Sequence, residues 1–136
     1  MPVSVSSTGI GLVSSTSSKE ETAVLVKNFP LTDTNTHTYR TDPAYFYLVN
    51  MPSVSTYAIW IYNSTNQTIN MQVIGNMTNN QTYPDYTIGP AYAVGVNSAI
   101  VYVFAADVAL TPFVSLSIWA NTAPSSGSVY ALVIFE

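Results

Sequence analysis

The sequence predicts an all-β protein: an antiparallel β-sandwich or jelly roll of about eight strands. Residues 21–136 form the sandwich, and residues 1–20 form an extended arm ahead of it. Three observations carry this reading. Several runs alternate apolar and polar residues with period two, as a half-buried strand does. Those runs are rich in Val, Ile, Thr, Tyr, Phe and Trp, which suit a pleated surface. Pro and Asn punctuate them, as in Phe29-Pro30, Met51-Pro52, Tyr83-Pro84, Gly89-Pro90, Thr111-Pro112 and Ala123-Pro124, and no stretch joins 3.6-residue periodicity to a helix cap.

The elements follow in chain order. Residues 1–20 are Ser-, Thr- and Gly-rich and hold too few apolar residues for a core, so they read as an arm. Strands are expected at Thr22–Phe29, Tyr45–Val49, Thr56–Tyr62, Thr68–Gly75, Ala91–Val96, Ala99–Phe104, Phe113–Ala120 and Ser128–Phe135. In Phe113–Ala120, Val114, Leu116 and Ile118 alternate with Ser115 and Ser117, which predicts one core face and one wet face. Ser128–Phe135 and Thr56–Tyr62 differ, being apolar on both faces. Tyr130, Leu132 and Ile134 form a second row on one, and Trp60 and Tyr62 on the other. A single two-layer sandwich buries one face of each strand, so these five residues are the expected subunit interface.

Composition narrows the function. Charged residues make up 7% of the 136, against about 25% in an ordinary soluble domain. Thr (16), Ser (16), Asn (11) and Tyr (10) take their place. Few titratable groups predict a stability that depends little on pH. Lys19, Lys27 and Arg40 are the only basic residues besides one His, too few for the basic stripe that phosphate contacts require, so no nucleic acid is expected. Cys is absent, which excludes disulfides, thiol catalysis and Cys-ligated zinc. No apolar run reaches the roughly 18 residues of a membrane helix. Ala99–Leu110 is the longest candidate, and Asp107 interrupts it. The first residues show neither a basic region nor an apolar one, so no signal peptide is visible.

The sharpest motif is N-x-[ST]. It occurs at Asn63-Ser64-Thr65, Asn66-Gln67-Thr68, Asn76-Met77-Thr78 and Asn80-Gln81-Thr82, four times within a short span and in two pairs flanking Thr68–Gly75. Asn63, Asn66, Asn76 and Asn80 are therefore candidate N-glycan acceptors. The same residues also serve as ordinary turn and strand chemistry.

Catalytic and cofactor chemistry finds no foothold. His37 is the only histidine and sits with Asp33 in a polar loop, without the further ligands a metal needs. Glu20 and Glu21 are adjacent and would point to opposite faces of a strand. Asp42-Pro43 and Pro84-Asp85 read as turns. No nucleophile elbow or glycine-rich phosphate loop is present. Trp60 and Trp119, with the tyrosines, could build a sugar-binding platform, although aromatic residues in β-proteins more often fill cores and interfaces. No catalytic residue, metal ligand or cofactor is expected.

Three stretches, Tyr57–Asn63, the sequon cluster 63–82 and Asn121–Val129, resemble structural proteins of archaeal viruses and archaeal surface filaments from hot acidic habitats. The resemblance implies a glycosylated β-sandwich assembled from identical copies. With the two-faced strands, the arm and the low charge, it sets the expectation: a non-enzymatic virion subunit (capsid, tail, nozzle or spike), located in the virion or on an extracellular surface. A secreted filament subunit and a carbohydrate-binding module are the alternatives.

Overall fold

The computed structural model describes residues 21–51, 56–81, 83–105 and 111–135, and shows nine strands and no helix among them. They are β1 (Glu21–Phe29), β2 (Val49–Asn50), β3 (Thr56–Asn63), β4 (Ile69–Asn76), β5 (Tyr86–Thr87), β6 (Tyr92–Val94), β7 (Ser98–Ala105), β8 (Phe113–Ala120) and β9 (Val129–Phe135). The arm of residues 1–20 and Asp107 lie outside the described residues.

The first sheet runs β1-β9-β3-β7 and the second β2-β8-β4-β5, with β6 also pairing β4. Every pairing is antiparallel. The partners are nested: β1 with β9, β2 with β8, β3 with β7, and β4 with β5 and β6. This is one long hairpin rolled into two layers. The sequence leaves sandwich and jelly roll open, and the strand order selects the jelly roll.

The core lies between the layers. Tyr57, Ile59 and Ile61 of β3 and Ala131, Val133 and Phe135 of β9 point inward from the first sheet. They meet Ile69, Met71 and Val73 of β4 and Val114, Leu116 and Ile118 of β8 from the second. All are buried, and they join one continuous core cluster. Each large aliphatic side chain so buried contributes roughly 1.5–3 kcal/mol of transfer free energy.

Three expectations need correction. Only Val49 of the expected strand Tyr45–Val49 is in a strand. Tyr45–Tyr47 instead lie along the edge of β1, where Lys27 N–H donates to Tyr45 O and Tyr47 N–H to Leu25 O. Strand β5 was not expected, because two residues are too few to show a period. Ser115 and Ser117 are buried rather than wet. Strand β8 has neighbours on both sides, β4 on one and β2 with His37 on the other, and a short serine side chain sits below its surroundings.

Candidate functional site

The outer face of the first sheet is an apolar plane. Register places its side chains in rows across the strands. Tyr130 pairs Tyr62, and Tyr62 pairs Ala99. Leu132 pairs Trp60 and Val24, and Trp60 pairs Val101. Ile134 pairs Ala58 and Thr22, and Ala58 pairs Val103. None of these residues carries a charge. The Trp60 ring stacks on Tyr62 with centroids 6.1 Å apart and meets Tyr130 edge-on at 6.1 Å. Trp60, Tyr62, Tyr130, Leu132 and Ile134 are half-buried by one another, while Val101 and Val103 are 57% and 60% exposed. The structure therefore brings the five sequence-expected interface residues onto one surface. Sequence reasoning missed Val101 and Val103, although Ala99–Phe104 is apolar on both faces in the same legible way.

The four sequons separate by burial. Asn63 ends β3 and is fully buried. Its Nδ2 donates to Gln67 O, Val94 O and Gly95 O at 2.8–3.1 Å, and its Oδ1 accepts from Thr65 N–H and Thr65 Oγ1. Asn76 ends β4 and repeats the arrangement. It is 1% exposed, its Nδ2 donates to Tyr83 O and Asp85 Oδ1, and its Oδ1 accepts from Thr78 N–H and Thr78 Oγ1. At these two positions the N-x-T triplet closes the strand end, because an Asn carbonyl can turn the chain back on the residue two further on. At both positions the amide hydrogens are donated to acceptors within the protein. Asn66 and Asn80 are exposed. Asn66 exchanges hydrogen bonds with Ser125, and Ser64 Oγ with its neighbour Ser128, so the β3–β4 and β8–β9 loops are clasped together. Gly127 sits at that clasp with φ +86°, and a Cβ there would lie 2.0 Å from Ser64 O.

The polar residues serve as latches. His37 and Ile118 exchange backbone hydrogen bonds, which seats the 30–45 loop beside β8. His37 Nε2–H donates to Asp33 Oδ1 at 2.7 Å, and this bond holds the Asp33 carboxyl below its ordinary 3.8. Arg40 pairs with Asp85. Burial raises the Tyr57 hydroxyl, and burial together with Tyr92 raises that of Tyr102. Among the described residues no group of three His, Asp or Glu could hold a metal, and no helix is long and apolar enough to cross a membrane. Trp60 is on β3 of the first sheet and Trp119 on β8 of the second, so the two tryptophans do not share one sugar platform.

The geometry defines a jelly-roll β-sandwich whose first sheet presents apolar outward side chains on β9, β3 and β7, with the charged Lys27 exposed on β1. No known protein family and no curated protein matches the chain. A solved structure, that of infectious bursal disease virus Gx strain, is similar to it at 11% identity and a TM-score of 0.41. The match covers 99% of this chain and 37% of that one, so this chain spans little more than a third of the length of its neighbour.

Proposed function

We propose that this protein is a non-enzymatic structural subunit of an extracellular assembly of identical copies, namely a virion component such as a capsid, tail, nozzle or spike subunit. The observation that carries the reading is the outer face of the β1-β9-β3-β7 sheet. Leaving the still-exposed part of its apolar side chains in water forgoes roughly 25 cal/mol per Å², and contact between copies removes that surface. The jelly roll supports the reading, since this architecture recurs in viral shells as well as in lectins. The arm of residues 1–20 supplies a second means of linking copies. Asn66 and Asn80, exposed at opposite ends of β4, are the N-glycan positions. The resemblance of residues 57–82 and 121–129 to archaeal surface proteins makes a virus of a hot acidic habitat the proposed source.

The test is the state of the protein in its native source. Fractionation by size, followed by mass spectrometry of each fraction, should place the chain in virus-like particles. Recovery in surface filaments would replace the virion by the filament reading. Recovery as a free monomer would remove the structural role altogether.

A further inference from the structure

Three of the four sheet edges are covered. The 45–47 segment bonds along the edge of β1 at Leu25 and Lys27. His37 and β2 cover that of β8. The short strands β5 and β6 cover that of β4. Strand β7 is the exception: among the described residues only β3 pairs with it. It is eight residues long, without Pro, charge or register shift. Natural proteins blunt such an edge, because its unpaired N–H and C=O groups accept a further strand. Beside it lies a groove of about 390 Å³ lined by Tyr92, Ala93, Ile100, Val101, Tyr102 and Val103. The Tyr92 and Tyr102 rings meet there at 5.3 Å.

We propose that residues 8–13 of a second copy add to the free edge of β7 as an antiparallel strand. This rests on the assembly reading and gives it a second contact. The segment is Thr8-Gly9-Ile10-Gly11-Leu12-Val13. Alternation puts Ile10 and Leu12 on one face, into the aromatic groove, and Gly9, Gly11 and Val13 on the other, level with Val101.

Register argues for a second copy. Glu21, Phe135, Tyr57 and Phe104 lie in one row across the sheet, so the chain enters β1 at the end where β7 finishes. A segment reaching β7 from its own chain by the short route would run parallel to it, in a structure whose pairings are all antiparallel. The antiparallel route from its own chain needs a diagonal of about 25 Å, given strand spacings of about 4.8 Å. The eight steps from Val13 to Glu21 span at most about 27 Å. That would stretch Ser14–Glu20, all polar, taut over apolar surface. A neighbouring copy meets neither constraint.

Because the chain has no cysteine, engineered pairs report the contact directly. Val101→Cys, at an exposed position, is combined in the full-length protein with Gly9→Cys, Gly11→Cys or Val13→Cys in turn. A Thr34→Cys partner serves as control. Opposed residues of an antiparallel pair lie about 4.5–5.5 Å apart, within disulfide reach. Under mild oxidation at least one arm position should give a ladder of covalently linked chains on non-reducing gels, and the control none. A disulfide within one chain, shown as a two-dalton loss in a monomer, would overturn the second-copy assignment. Assembly of normal size with no cross-link at any arm position would overturn the edge contact and leave the assembly reading standing. A monomer without cross-links would overturn both.

Discussion

Trp60 and Leu132 face each other directly across the β3–β9 pair, on the outer side of the first sheet. Val24 and Val101 extend the row to the strands on either side. This row forms the middle of the proposed contact, so a charge placed in it would be desolvated only in the assembly. Leu132→Asp and Val101→Asp are expected to keep the strand-type circular dichroism spectrum and to reduce the assembled fraction at least tenfold. A variant that keeps its size would locate the contact elsewhere.

Asn63 and Asn66 belong to overlapping sequons and do different work. Asn63→Ala takes the acceptor from the buried Thr65 N–H and the side-chain donor from Val94 O and Gly95 O, while the Thr65 hydroxyl keeps Gln67 O. Each orphaned buried group costs about 1–3 kcal/mol. Asn66→Ala removes exposed bonds to Ser125 and should cost about 0.5–1.5 kcal/mol. Urea unfolding at one fixed protein concentration separates the two. Equal losses would contradict the latch.

The same contrast extends to modification. Intact mass of native protein is expected to exceed 14.7 kDa by sugar increments. Peptide mapping should place them at Asn66 and Asn80, with Asn63 and Asn76 bare. Sugar on Asn63 would show that the buried amide does not form its bonds in the native protein.

Acid should disturb the fold little. Among the described residues the Asp33 carboxyl is held below its ordinary pKa, through its hydrogen bond to His37. A carboxyl held lower in the folded than in the unfolded chain adds stability above its unfolded value and loses it as pH falls through the folded one. For Asp33 that loss falls mainly between the ordinary 3.8 and the lower folded value. The side chain is 43% exposed, so solvent screens the contribution. The melting temperature is expected to stay nearly constant from pH 7 to about pH 4 and to fall slightly below that. A sharp transition near pH 5 would point to a different carboxyl.

Most of the sheet architecture was legible because period-two alternation reports directly on which side chain faces inward. The bounds of Phe113–Ala120 agree to the residue, and those of Thr56–Tyr62 to within one. The outer-face residues were legible for the same reason, as Tyr130, Leu132 and Ile134 leave no polar face to their strand. Pairing order was not legible, since alternation is silent about which strand lies beside which. The burial of Ser115 shows a further limit: polarity marks a face as wet only when the side chain reaches past its neighbours. Asn63 shows another. A glycan acceptor and a strand-end latch both need Thr two residues after Asn, and only burial tells them apart.

Sedimentation velocity of the unmodified full-length protein, over a hundredfold range of concentration, tests the assembly most directly. Species larger than 14.7 kDa are expected throughout, dissociating on Leu132→Asp substitution. A single monomer at the highest concentration would contradict the structural role and leave the apolar outer face without its proposed partner.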